Sequence, residues 1–430
     1  MNIYIWTFLI GMIIFTLFPF LNKNYRRRSA YIKALASIII VLAIVLSVVL
    51  FKVNFVLALL IGLIIFILLD KRTYTKSRLI IYGLIIIIVT MLAFFLFRDN
   101  PDYIVNHLKE NPTSSALYVA KDKQDYITYQ SDDIQPLAST VKLLIAIEYA
   151  LQVDEGKINK DSYVPLTELN HFYIKGTDGG GHEDWLKSLS ATQDMNNEAS
   201  LQDVVKGMIT YSSNANTDYL INLLGINNIN KRIKDLNLNK HDAIYPIVGA
   251  LLIPYDDKDI SPETLESMSD KEYASRAINI NEKLDRGEIQ AENTKYTPSR
   301  KFEKIWSNRL MSSTAQDYGK LLQMIAYDEF PKTATKILHQ IMEWPMEHNP
   351  NNKDRFEYLG GKGGSTKFVL TDAIYAKEHK QDSYELVLLF NDLNIWQNIL
   401  LQNNLNSFES KFIHNEDYQL QVKETLTHTK

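Results

Sequence analysis

The sequence predicts an α+β fold: an antiparallel sheet flanked by helices, with an all-helical lobe, preceded by four transmembrane helices. Three observations predict it. Four long apolar segments fill residues 1–97. Strand-like runs stand near both ends of the polar remainder, and helix-like periodicity fills the stretch between them. Early and late strands close into one sheet only by pairing with each other, which leaves the central helices as an inserted lobe.

The apolar segments lie near 3–21, 31–51, 54–69 and 79–97. A span takes about 20 apolar residues, within a range of roughly 17–25, so the third is slightly short. The first lacks the basic n-region of a cleavable signal peptide, and three more spans follow it. Lys23, Arg26, Arg27 and Arg28 follow span one, and Lys71, Arg72, Lys76 and Arg78 follow span three, whereas only Lys52 separates spans two and three. Basic loops stay in the cytoplasm. Both chain ends are therefore expected outside, in a multi-pass protein of the cell membrane with an extracytoplasmic domain after Arg98. No span carries several ionisable groups, so residues 1–97 read as an anchor in the lipid bilayer rather than a transport path. A net charge of -4 argues against a nucleic-acid partner. The absence of Cys rules out disulfides and is compatible with export. Oligomeric state is left open.

Residues 98–112 read as a linker, with Asp99, Asn100, Pro101 and Asp102 at its start. Residues 113–430 are enough for one large core. Strand-like runs at 115–120 and 126–130 come first, then an apolar helical run that begins with Ser139. Helical patterns follow at 201–210 and 216–224, late strands at 367–376 and 384–390, and a last amphipathic helix near 395–413. Residues 256–300 are rich in Asp, Glu, Lys and Ser and read as a surface insertion.

Ser139-Thr140-Val141-Lys142 is the single Ser-x-x-Lys of the chain. A serine in the first turn of a helix lies near the positive end of the dipole. A lysine three residues on shares its face. Desolvated by apolar neighbours, that amine can lose its proton and take one from the serine. Ser212-Ser213-Asn214 stands 70 residues after Lys142, and Lys362-Gly363-Gly364 begins 150 residues after Ser212. Each element also has a plainer reading: Ser139 as a helix cap, Ser212 and Asn214 as turn residues, Lys362 as a solvated edge lysine. Gly179-Gly180-Gly181-His182 lacks the Lys-Ser/Thr of a phosphate loop and a second nearby His, so it reads as a flexible rim loop. No metal and no cofactor are expected.

The trio Ser-x-x-Lys, Ser-Asp-Asn and Lys-Thr-Gly marks class A β-lactamases and penicillin-binding proteins. With LASTVKLLIAIEYALQVDEGKINKD around the first motif and DVVKGMITYSSNANTDYLINLLG around the second, residues 113–413 resemble that superfamily, its class A side above all. The resemblance implies a serine acyl-hydrolase. Ser139 would attack a carbonyl, Lys142 would take its proton, and Ser212 would relay a proton to the leaving nitrogen. Asn214 would bind the substrate amide, Lys362 a substrate carboxylate, and the N–H groups of Ser139 and Ser365 would form the oxyanion hole. Gly363 and Gly364 complete the substrate-binding strand.

Three departures stand out. The second motif reads Ser-Ser-Asn, and the third has Gly363 where a hydroxyl residue is usual, with Ser365 or Thr366 left to supply it. The family's Glu-x-x-Leu-Asn deacylation base is expected some 30–45 residues after Ser212. That stretch reads HDAIYPIVGALLIPYDD, with no carboxylate between Asp242 and Asp256. Glu168-Leu169-Asn170 precedes the second motif, in the wrong place. General base catalysis contributes about 100–10,000-fold, so hydrolysis of an acyl-enzyme should be slow. The expected activity is therefore that of a membrane-bound serine acyl-hydrolase acting on β-lactams or on D-alanyl groups of the cell envelope. The alternatives are a penicillin sensor, which in this superfamily carries a cytoplasmic His-Glu-x-x-His protease absent here, and an envelope-polymer-binding pseudoenzyme.

Overall fold

The computed structural model describes residues 99–192, 197–256, 260–291 and 296–427. The chain divides into two units, Met1–Asp99 and Asn100–Lys430. The four predicted spans lie outside the described residues, and among the described residues no helix is long and apolar enough to cross a membrane.

The second unit is built on a five-stranded antiparallel sheet. Its strands are β1 (Ser115–Lys121), β2 (Gln124–Tyr129), β7 (Phe356–Ser365), β8 (Leu370–Glu378) and β9 (Ser383–Phe390), in the order β2-β1-β9-β8-β7. Three-residue strands β3 (Ile134–Pro136) and β4 (Tyr163–Pro165) pair with β6 (Ser312–Thr314) and β5 (Glu198–Ser200). The expected pairing of chain-terminal strands is thus the β1–β9 ladder, in register from Ser115↔Phe390 to Lys121↔Tyr384.

The central strands are apolar on both faces because both faces are covered. Every residue of β9 is buried. Val387 and Leu389 face one core with Tyr118 and Tyr375, while Leu386, Leu388 and Phe390 face another with Leu117 and Val119. Side chains that alternate between two dry faces give a continuous apolar run rather than a half-polar one.

The second core is roofed by three helices, α1 (Asp102–Glu110), α12 (Ile395–His414) and α13 (Glu416–Thr427). This corrects the reading of 98–112 as a linker. Ile104, Val105 and Leu108 are buried at helical spacing, so α1 belongs to the globular unit.

The first core holds the lobe. Its helices are α2 (Lys142–Asp154), α3 (Gly181–Thr192), α4 (Leu201–Thr210), α5 (Asn214–Leu224), α6 (Ile226–Asp235), α7 (Ile247–Asp256), α8 (Asp270–Asp285), α9 (Arg300–Asn308), α10 (Ala315–Ala326) and α11 (Lys332–Met342). α2 is buried from Lys142 to Gln152, which is why its sequence is apolar all round.

The described part of 256–300 is not a surface appendage. α8 buries Tyr273, Ala277, Ile280 and Leu284, an apolar stripe three to four residues apart. It lies hard against α7: a Cβ on Gly249 would come 2.2 Å from the Ala277 carbonyl oxygen. Within Asp270–Asp285, the polar residues that suggested an insertion form the outer face of a packed helix.

Candidate active site

Ser139 lies in a 3₁₀ turn, Ala138–Val141, that runs directly into α2. The turn is half-exposed at Ser139 and buried on either side. It is pinned to the sheet by two threonines. Thr140 Oγ1 and Thr371 Oγ1 are 2.7 Å apart, and Thr371 Oγ1 donates to the Leu137 carbonyl at 2.9 Å. The edge strand β7 passes so close that a Cβ on Gly364 would come 2.3 Å from the Ser139 amide nitrogen. Glycine at 364 therefore has a steric cause, namely the approach of two backbones.

Lys142 begins α2 with its side chain completely buried. Its Nζ donates to the Ser212 carbonyl at 2.6 Å, to Asn214 Oδ1 at 2.9 Å and to Ser212 Oγ at 3.2 Å. Lys362, in β7, donates from Nζ to the same Ser212 Oγ at 3.1 Å and to its neighbouring carbonyl, Gly363 O. The structure thus gathers Lys142, Ser212, Asn214 and Lys362 into one hydrogen-bonded set. Ser139 Oγ stands outside that set, one turn from Lys142, with no hydrogen bond to it.

The Ser212 backbone adopts φ +60°, the left-handed region that a non-glycine residue enters at a cost of about 1–3 kcal/mol. The contacts that hold it there are Lys142 on its carbonyl and the Ser213 N–H on the Gly207 carbonyl at 3.2 Å.

Burial sets the electrostatics. It drives the Lys142 ammonium well below the usual lysine range. The nearby Lys362 charge pushes the same way, and Asp178 and Asp218 oppose it. Burial also lowers Lys362, to about 8, against the pull of Asp372. Two buried amines on one hydroxyl cannot both hold a full charge cheaply, so one can be neutral near neutral pH and accept a proton.

The third motif is only partly as expected. Gly363 pairs with Asp372, and a side chain at 363 would point at the Asp372 carboxyl, 3.2 Å from its Oδ1. Ser365 is exposed at the end of β7. Thr366, the other candidate for the missing hydroxyl, is already engaged. Its Oγ1 accepts from Ser307 Oγ at 2.9 Å and from the Phe368 and Val369 amides at 3.1 Å, closing the β7–β8 hairpin.

A family model described as "Beta-lactamase enzyme family" matches residues 102–405. The chain belongs to that family. It is a member of the superfamily of β-lactamases and penicillin-binding serine hydrolases. Similar solved structures include a β-lactamase from Sphaerobacter thermophilus DSM 20745, 13% identical, covering 73% of this chain and 96% of that one, with a TM-score of 0.47. A class A β-lactamase representative from Bacteroides cellulosilyticus DSM 14838 is 16% identical over 76% of this chain and 99% of its own, at TM-score 0.45. A point mutant of PBP-A, solved as an acyl-enzyme complex with penicillin G, is 16% identical over 72% and 95%, at TM-score 0.43. No curated protein matches the chain.

The structure gives two of the candidate deacylation bases partners of their own. Asp242 is exposed and accepts the Ser312 amide at 2.9 Å, at the edge of β6. Asp256 ends α7, paired with Lys283 at 3.1 Å, about 14 Å along the helix from its first residue. Asp257 lies outside the described residues. The carboxylate at the start of α7 is instead Asp218. Fully buried on α5, it accepts the N–H groups of Ile247 and Val248 at 2.8 Å and of Gly249 at 3.3 Å. Burial pushes it up to about 7, against those donors and Lys142. The signal for it was present in the sequence. Asp218 follows Asn214 by four residues, which puts both on one helix face.

One prediction arises at once. If Ser139 is acylated, Gly364→Ala is expected to slow that step about 100-fold, because displacing the Ser139 turn by an ångström is enough to do so. Initial acylation rates checked beside thermal melts would test it, and a rate within twofold of the wild type would contradict it.

Proposed function

We propose that the protein is a membrane-bound serine acyl-hydrolase that acts through a Ser139 acyl-enzyme on β-lactams or on D-alanyl groups of the cell envelope. One observation carries the reading: two buried lysines from different parts of the chain converge on Ser212 beside the Ser139 turn. A structural lysine is rarely buried without a carboxylate partner. The hydrogen-bond partners of Lys142 Nζ are Ser212 and Asn214, neither of them a carboxylate.

The proposed reaction uses those positions. Lys142, as the neutral amine, takes the Ser139 hydroxyl proton while Oγ bonds to the substrate carbonyl carbon. The carbonyl oxygen becomes an oxyanion facing the N–H groups of Ser139 and Ser365. As the C–N or C–O bond breaks, Ser212 passes its proton to the leaving atom and is reprotonated from a lysine. Water then hydrolyses the ester. Asn214 and Lys362 bind the substrate's amide and anionic groups.

The test is incubation of the full-length chain with a fluorescent penicillin, followed over time. A label on Ser139 supports the reading. A lasting label marks a penicillin-binding or D-alanyl-processing enzyme or a sensor, and a transient one a β-lactamase. No label from penicillin or from D-alanyl esters would sink it and leave the envelope-binding pseudoenzyme.

The membrane arrangement rests on the basic loops 22–30 and 70–78. Protease added to intact spheroplasts is expected to release a fragment of roughly 38 kDa, the share of the 49.6 kDa chain carried by residues 98–430. Full protection of that part would overturn the orientation.

A further inference from the structure

Asp178 is in none of the three motifs, and the mechanism above does not use it. Its carboxylate stands where two helices begin. Oδ1 accepts the Gly180 N–H at 3.2 Å. Oδ2 accepts the His182 N–H at 3.2 Å, in the first turn of α3, and the Asn214 N–H at 3.4 Å, the first residue of α5. Two helix dipoles thus direct their positive ends at one anion.

The same segment is fastened to the second motif at further points. His182 is completely buried, its Nδ1 is 2.9 Å from Ser213 Oγ, and its ring stacks on Tyr173 with centroids 4.6 Å apart. Ser213 Oγ in turn donates to Asn216 Oδ1 at 3.0 Å. A Cβ on Gly181 would come 2.0 Å from the Tyr211 carbonyl oxygen, so the backbones touch there. The 179–182 run, read from sequence as a flexible rim, is therefore a strut against residues 211–216.

We propose that Asp178 is a positioning residue for acylation of Ser139: its carboxylate fixes the start of α5, and with it the Asn214 carboxamide that holds the Lys142 amine. The proposal rests on the reading of this site as an acyl-transfer centre. Asn214 is the link, since its N–H is bound by Asp178 and its Oδ1 accepts from Lys142 Nζ at 2.9 Å.

Charge gives the proposal a signature that a purely structural role lacks. The charged groups facing Lys142 are Lys362 from β7, Asp178 from the segment before α3, and Asp218 from α5. The two carboxylates favour the ammonium, whereas burial and Lys362 disfavour it. Removing one carboxylate lowers the Lys142 pKa further. The amine accepts a proton only when neutral, so the acid limb of the acylation rate moves to lower pH.

The experiment is Asp178→Asn in the full-length chain. The initial rate of Ser139 labelling is measured against pH with a fluorescent penicillin and, in parallel, a fluorophosphonate. The expected result is an acid limb displaced downward by about one pH unit. The plateau should fall about tenfold, as Asn214 loses its anchor. Asp178→Glu, which keeps the charge, should return the limb towards its wild-type position. A limb that stays in place, at any plateau, overturns the proposal while leaving the acyl-transfer reading intact. Wild-type protein that neither probe labels overturns both. If Asp178→Asn does not fold, Asp178→Glu decides: a lowered plateau with the limb in place supports the positioning role, and an unchanged plateau overturns it.

Discussion

Ser139→Ala is expected to lose all covalent labelling, and Lys142→Ala to acylate about 100–10,000-fold more slowly than the wild type. The two side chains have different tasks in one step. Without Ser139 no oxygen is left to form the ester. Without Lys142 the hydroxyl loses the amine one helix turn away, and the other amine, Lys362, sits on β7 against Ser212 and the Gly363 carbonyl. Residues that act as a unit give non-additive losses, so the double variant should be no worse than Ser139→Ala alone.

The fold should survive both changes. Lys142→Ala strands the Ser212 carbonyl and Asn214 Oδ1, at about 1–3 kcal/mol for each unsatisfied acceptor. It also removes a buried amine whose charged form burial already disfavours. Labelling rates by gel fluorescence, read beside melting curves, check the claim. Ser139→Ala protein that still forms an acyl adduct would refute the assignment of the nucleophile.

Features of short sequence range were legible. Ser139 and Lys142 stood out because residues three apart at a helix start lie one turn apart, a spacing that is set locally. Four strands of the sheet, β1, β2, β8 and β9, were legible from their β-branched and aromatic runs, and the β1–β9 pairing from the position of those runs at both ends of the domain, whereas the glycine-rich β7 offers no such run. The readings that failed weighed polarity over periodicity. Asp99, Asn100, Pro101 and Asp102 suggested a linker, yet Ile104, Val105 and Leu108 already carried the helical period of α1. Tyr273, Ala277, Ile280 and Leu284 carried that of α8 among charged neighbours. The closing helix α13 was missed for the same reason: only Tyr418, Gln419, Val422 and Leu426 of it are buried.

The contacts of Asp178 and Asp218 belong to a different class. Asp178 reaches Asn214 across 36 residues, and Asp218 reaches Ile247 across 29. No local pattern encodes which backbone amides a carboxylate will meet at that range. The left-handed turn at Ser212 is equally invisible, since serine is not the residue that φ +60° favours.

If β-lactams acylate Ser139, the adduct is expected to persist for minutes or longer, with a fast burst and a slow steady state. Acylation draws on groups that the structure brings together: Lys142, Ser212, Lys362 and the strand beside the Ser139 turn. Deacylation needs a base for water, and the turn that begins α7 carries none. Residues Ile247 to Ile253 of α7 are all apolar or glycine, and all are buried. Asp242 is tied to Ser312 and Asp256 to Lys283. Asp218 touches the turn, but its oxygens are occupied by three backbone N–H groups. A missing general base slows a step by about 100–10,000-fold, which separates a seconds-long intermediate from one lasting minutes to hours. Intact-protein mass spectrometry after mixing with penicillin would show the adduct and its decay. Turnover without a burst would mean that a carboxylate does reach water at the acyl carbon. Asp218→Asn is then the first substitution to make. Its carboxylate is bound to the start of α7 and lies close enough to Lys142 for each to shift the other's charge.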